Sequence, residues 1–423
     1  MACRFDYSNM TFPKGGFGGY GALLDSLLCG LCEPVIRALR QCRIELGDPS
    51  GTFKQGTRPR AGSVFLLVNG EGYFGNELYF ASLRRDKNPF KHLIILGTFW
   101  NATHREYHDA RVTSLWVPFA SLSFAEREAT PMDLYQRGRS THGPSRHRRT
   151  TTVLYANSVC SRFREEFWDQ LNAALSNSSL PVGAAVGGCN GKKHLGRHVP
   201  DQKGPARDGG DHRRWEATTA AASRAMFVLG MEHNNRVNHR GYLTEKISSA
   251  FLAGAVPLYF GADSVLDVFN GASFISLNTQ SPHAAARQVV RMLQRTEKWV
   301  ELAKKPAVTD AQFAKHFSWH WSVWRTHGDY LRTRIVRFLL GACDASTDSA
   351  PFAEAPCKIP TPTVQIPFLG AETGAKGQVG RHRKAASPGL RLLPARKPRP
   401  ECAMAERRSK AWMRRYRCQG SGF

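Results

Sequence analysis

AMFVLGMEHNNRVNHRGYLTEKISSAFLAGAVPLYFG, residues 225–261, decides the fold. Ala225 to Met231 is an unbroken apolar run of strand length. Leu243 to Gly254 spaces its apolar residues as a helix does, and Ala255 to Phe260 is a second apolar strand. Strand, helix and strand, with both strands continuously apolar, specify a parallel sheet covered on both faces. Such sheets bind ligands at the carboxyl ends of their strands. Here that edge gathers Glu232, His233, Asn234 and Asn235, the helix opening Gly241-Tyr242-Leu243-Thr244-Glu245-Lys246, and Gly261. Free N–H groups and the helix dipole draw an anion to such an opening, and Lys246 adds a mobile positive charge. Carboxylates beside a bare phosphate are costly. They make sense for a ligand that also offers hydroxyls, which describes a nucleotide-sugar. Spacing alone leaves equally open a plain helix start, with Thr244 as cap and Glu245 and Lys246 as surface residues.

Working outward, Pro282 to Arg295 reads as a helix with Ala286, Val289, Val290 and Leu293 on one face. KHFSWHWSVWRTH (315–327) reads as aromatic core rather than as a metal or base-stacking site. Upstream, TTVLYANS (151–158) is a strand and CSRFREEFWDQLNAAL a helix, followed by a short strand at Val182 to Val186 and a polar loop from Lys192 to Arg213. SVFLLVN from Ser63, HLIILGTFW from His92 and RVTSLWVPF from Arg111 are three more strands. With helices at Leu78 to Arg84 and Phe124 to Tyr135, they form an earlier α/β domain. The organisation expected is therefore an irregular segment at 1–60, with one helix from Leu23 to Cys42, and an α/β domain at 61–135. A basic linker at 136–150, a second α/β domain at 151–345 and a largely disordered extension at 346–423 follow. GGFGGYG (15–21) resembles a phosphate loop only superficially, because no strand precedes it.

The 423 residues carry 59 Lys plus Arg against 34 Asp plus Glu, a formal charge of +25. Most of the excess lies in 136–150, 192–214 and 370–423, leaving a nearly neutral body. Segments of this kind read as solvated, and the tail suits an acidic partner. No zinc-finger spacing or RNP-type motif supports a specific nucleic-acid reader. A hydrophobic share of 42% excludes wholesale disorder, and no apolar run approaches the ~18 residues of a membrane span. Among ten cysteines, Cys29 and Cys32 form one CxxC with no second to complete a zinc site; a redox role stays open, and the favoured reading is a pair of small apolar residues on a helix. Cys343 and Cys357 are positioned to pair in an oxidising compartment. Sequons at Asn9, Asn101 and Asn177 permit a secretory location without requiring one.

The stretch from Phe227 to Leu277 resembles the signature of the α1,3-fucosyltransferases, glycosyltransferase family ten. Phe227, Glu232, Tyr242, Thr244, Glu245, Lys246, Gly254, Pro257 and Gly261 fall on its pattern. Weaker resemblance extends over Ser63 to Leu340. It implies a GT-B fold, two Rossmann-like α/β domains facing across a cleft, and transfer of L-fucose from GDP-fucose to a GlcNAc-containing glycan with inversion. By correspondence Lys246 contacts the pyrophosphate, Glu232 and Glu245 lie near the fucose or ribose, and Tyr242 borders the nucleotide. Lys192 stands where the family has a phosphate-binding arginine, with Lys193 and Arg197 nearby. Glu71, in the segment VNGE, matches the family's Gly-Glu and is the candidate base. His233 replaces the family's Asn, with Asn234 one place later in a longer loop. No DxD motif is present to hold a metal, and no cofactor is expected beyond the donor. The resemblance also implies the Golgi lumen and membrane association, although no anchor is visible in this chain. The alternative is an inactive transferase fold that binds polyanions or nucleic acid through its basic segments.

Overall fold

The computed structural model describes residues 10–11, 19–31, 33–47, 62–69, 91–97, 112–139, 149–157, 162–178, 183–186, 197–199, 218–232, 241–278 and 281–343. Two sheets, each wholly parallel among the described residues, organise them. In the first, β1 (Met10–Thr11), β2 (Ile44–Gly47), β3 (Val64–Asn69), β4 (His92–Gly97) and β5 (Val112–Trp116) lie side by side in chain order. Helices α1 (Tyr20–Leu28) and α2 (Glu33–Gln41) connect β1 to β2. Beyond β5 come α3 (Phe119–Leu122), a 3-10 turn and α4 (Pro131–Gln136).

The second sheet runs in the order β11-β10-β9-β6-β7-β8. Its strands are β6 (Thr151–Ala156), β7 (Ala184–Val186), β8 (Arg197–Val199), β9 (Ala225–Met231), β10 (Val256–Phe260) and β11 (Ile275–Ser276). β9 and β10 pair in parallel from Phe227–Val256 to Met231–Phe260, so both end at one edge. Helices α5 (Arg162–Asn177), α6 (Glu245–Leu252), α7 (Val265–Val268), α8 (Pro282–Gln294) and α9 (Thr296–Ala303) belong to this half. One face packs Phe167, Trp168 and Leu171 of α5 and Val289 and Leu293 of α8 against β6, β9 and β10. The other face is lined by Ala225, Val228, Ala250, Ala253 and Ala255, small residues that let α6 lie close to the strands.

The chain then returns to the first sheet. α10 (Asp310–Phe317), α11 (Trp321–His327) and α12 (Tyr330–Ala342) contribute Phe313, Phe317, Leu331, Ile335 and Leu339 to one continuous core with Leu24, Leu46, Leu66 and Ile94. Each such side chain contributes about 1.5–3 kcal/mol through burial. Ile247 and Phe251 of α6 join the same core, so the two halves share apolar contacts as well as chain. A disulfide between Cys42 and Cys343 ties the end of α2 to the end of α12.

The α/β class and the two parallel sheets agree with expectation, and local details differ. The stretch 1–60 is not irregular throughout: it supplies β1, β2 and two helices. The single helix expected from Leu23 to Cys42 is two, because Pro34 has no N–H to continue a helix from α1 and instead sits in the first turn of α2. Phe124 to Tyr135 likewise divides into the 3-10 turn and α4, where Thr130 and Asp133 form a capping box ahead of Pro131. Cys343 pairs with Cys42, not Cys357, and Cys29 is disulfide-bonded rather than a small apolar helix residue. α12 packs on the first sheet, although it was assigned by sequence to the second domain. Arg197–Val199, expected in a polar loop, is a strand beside β7. In KHFSWHWSVWRTH the aromatic core is as expected: Phe317, Trp319 and Trp324 are buried and only Trp321 is markedly exposed, at 46%. The helix at 78–84 and the extension 346–423 lie outside the described residues.

Candidate functional site

The carboxyl edge of the second sheet brings Glu232, Thr244, Glu245 and Lys246 together. Glu232 follows β9 directly, and its N–H donates to the Phe260 carbonyl at the end of β10 (2.8 Å). Its side chain is fully buried. One carboxylate oxygen accepts the Thr244 N–H at 2.8 Å and the other the Thr244 hydroxyl at 2.7 Å. Thr244 has extended backbone at the N-cap of α6, yet its hydroxyl serves Glu232 instead of the helix. The ordinary capping role that spacing left open is thus not the one observed.

Lys246 Nζ donates to the Thr244 hydroxyl at 3.1 Å. It lies 3.5 Å from Glu245 Oε1 and 3.8 Å from Glu232 Oε2. Its side chain retains 23% exposure, while Glu245 is buried, so neither is a free surface residue. Burial pushes the Glu232 carboxyl above the usual range; Lys246 and the two Thr244 hydrogen bonds oppose the rise, and Glu245 adds to it. Tyr242, buried at the same edge, precedes this cluster by two residues.

Sequence reasoning missed Arg164. It sits in the first turn of α5, 1% exposed, and its Nε donates to the Glu232 carbonyl at 3.3 Å. Burial lowers its pKa, while attraction from Tyr155, Glu232, Tyr242 and Glu245 raises it. A cation in the first turn of a helix works against the macrodipole. That placement, just past a strand at the ligand-binding edge, is the signal that was available. Its partners were not, since they arrive from β9 and α6, 68 or more residues later.

Gly261 explains itself by proximity. A Cβ there would stand 2.6 Å from Glu232 Cγ and collide with the Tyr259 hydroxyl. Its N–H donates to Asn278 Oδ1 at 2.9 Å. The first half of the chain closes the other side of the site. Trp116 Nε1 donates to the Gly241 carbonyl (3.2 Å), the Ala120 N–H to the Leu243 carbonyl (2.9 Å), and Arg127 to the Ser249 hydroxyl (2.8 Å). Glu71, Asn234 and Lys192 lie outside the described residues.

Two cations and two carboxylates thus meet at a helix N-terminus, mutually compensated and without a net excess of either sign. Such a cluster suits a ligand that is anionic at one end and hydroxylated at the other. Among the described residues, no group of three or more His, Cys, Asp or Glu is arranged to hold a metal ion. A groove of about 800 Å³ between α5 and α8, lined by Asp169, Arg287 and Arg291, involves none of the site residues.

Residues 147–348 match the family model described as glycosyltransferase family 10 (fucosyltransferase) C-term. No curated protein matches the chain. Among solved structures, an alpha1,3-fucosyltransferase with GDP-fucose is 15% identical. That likeness covers 72% of this chain and 78% of that one, with a TM-score of 0.43. TarM is 8% identical, over 75% of this chain and 58% of its own, with a TM-score of 0.41. Glu232, Thr244, Glu245, Lys246 and Arg164 all fall inside the matched span.

Proposed function

We propose that this protein transfers L-fucose from GDP-fucose to a hydroxyl of a GlcNAc-containing glycan, with inversion at the anomeric carbon. The observation that carries the reading is the Glu232–Thr244–Lys246 cluster at the sheet edge, inside the family domain. The acceptor oxygen attacks the anomeric carbon as the bond to the diphosphate breaks, and GDP leaves with the electron pair. Lys246 and the first turn of α6 stabilise the charge developing on the leaving diphosphate. Arg164 adds a fixed positive field from behind Glu232. Glu245 takes donor hydroxyls, Tyr242 borders the nucleotide, and Glu232, buried beneath them, is fixed by Thr244 and supports the site from behind. Lys192 and Asn234 complete the donor contacts in this proposal, and Glu71 removes the acceptor proton. The reaction belongs to an oxidising secretory compartment such as the Golgi lumen; the Cys42–Cys343 disulfide supports that location.

The polyanion-binding alternative has less to draw on than composition suggested. Of the five arginines in 136–150, Arg137, Arg139 and Arg149 are engaged with the protein's own carbonyls or with Asp310. The test is a transfer assay with GDP-fucose and a GlcNAc-terminated oligosaccharide, the product's anomeric configuration being read by NMR. Lys246→Ala and Glu245→Ala should each lower transfer by about 10²-fold or more with the melting temperature kept. Full activity in both variants would sink the site assignment.

A further inference from the structure

Gly241 to Thr244 is a short ledge held from two sides. The carbonyls of Gly241 and Leu243 bond to Trp116 and Ala120 of the first half of the chain. The Thr244 N–H turns the other way, to Glu232. Gly241 stands at φ +90°, where only a glycine sits without strain and where no side chain fixes the peptide. Its orientation therefore rests on two bonds: its N–H to the Ser264 hydroxyl at 3.1 Å, and its carbonyl to Trp116.

Trp116 is itself held. It ends β5, and its ring meets the buried His316 edge-on at 5.1 Å and 73°. Nearby, the Ser121 hydroxyl donates to the His316 carbonyl and accepts the Trp319 indole N–H. The first sheet thus presents one oriented indole N–H to the glycine from which Tyr242 and Thr244 follow.

We infer that Trp116 is a positioning residue for donor binding: through the Gly241 carbonyl it sets the ledge that aims Tyr242 and Thr244, although it belongs to the opposite sheet. This rests on the donor reading given above. A consequence is that the first half of the chain, the side expected to receive the acceptor, tunes donor affinity through a neutral hydrogen bond.

Trp116→Phe removes the indole N–H while keeping a smaller aromatic ring beside His316. Trp324→Phe is the control, since it removes an equivalent indole bond to the Ser26 carbonyl (2.9 Å) remote from the ledge. Calorimetric titration of the full chain with GDP should show about fivefold weaker binding for Trp116→Phe and unchanged binding for Trp324→Phe. In transfer assays the KM for GDP-fucose should rise while the acceptor KM stays constant. Adding Ser264→Ala to Trp116→Phe should cost less than the product of the two single losses, since both bonds act on one peptide. Equal GDP affinity in native and Trp116→Phe protein overturns the positioning role alone. No GDP binding by the native chain overturns the donor reading and this inference with it.

Discussion

Arginines packed into the fold occupy both edges of the second sheet, and their surroundings differ. At the amino edge Arg137 donates to the carbonyls of Ala303, Lys305 and Ala255, and Arg149 to those of Ala222, Ala225, Ala253 and Gly254. Burial brings Arg137 down to about 10, with Arg149 adding to the fall, and burial lowers Arg149 too. At the carboxyl edge Arg164 donates to the Glu232 carbonyl, and the charges of Glu232 and Glu245 act on it. The amino-edge pair closes the ends of strands and helices, so its bonding capacity is spent on the fold. The carboxyl-edge cluster balances charge against charge and keeps Lys246 partly open to solvent. One residue type thus serves structure at one edge and the proposed donor site at the other. What separates them is that carboxylate charges act on Arg164 in addition to the carbonyl it bonds, whereas Arg137 and Arg149 bond to carbonyls.

The contrast breaks if Arg149 matters to the donor site. Arg149→Ala leaves four carbonyls without this donor. It should lower the unfolding free energy by roughly 2–4 kcal/mol in a urea titration, with GDP affinity per folded molecule unchanged. A stable variant that no longer binds GDP would erase the distinction.

A weaker base should respond to burial differently. His316, on α10 beside Trp116, is held down to about 3 by burial and by Lys315, against a hydrogen bond to the Asp267 backbone carbonyl; burial holds His320 near 4. Both are neutral in the folded protein, while the unfolded chain takes up protons below about 6.5. Stability should therefore be constant above pH 6.5 and fall as pH drops toward 4, by up to about 1.4 kcal/mol per unit for each histidine. Urea titrations between pH 7.5 and 5 measure the slope. His316→Phe should remove about half of it.

The smallest effect sharpens the carboxyl edge. In Gly261→Ala the added methyl meets Glu232 Cγ at 2.6 Å and should cost about 1–3 kcal/mol of stability. The displaced Glu232 should also lose its grip on Thr244, and GDP-fucose affinity should fall. A loss of stability without any loss of affinity would mean that Glu232 is not part of the pocket.

Much of this was legible in the sequence wherever local pattern decides. β9, α6 and β10 announce themselves through apolar period and strand length, and the edge rule then brings Glu232, Thr244, Glu245 and Lys246 together. The features that were not legible are long-range. Trp116 meets Gly241 across 125 residues, Arg164 meets Glu232 across 68, and Cys42 pairs with Cys343 across 301. None leaves a local signature, because a bond between distant elements depends on sheet order and helix return. The two-residue β1 and four-residue β2 escaped for a different reason: such short strands carry too little alternation to be recognised.

The most direct test is calorimetric titration of the native chain, Lys246→Ala and Arg149→Ala with GDP-fucose, alongside GDP-mannose and UDP-galactose. The account predicts selective binding of GDP-fucose by the native chain and by folded Arg149→Ala, and its loss in Lys246→Ala. Undiminished binding in Lys246→Ala, or none in a folded native sample, would contradict it.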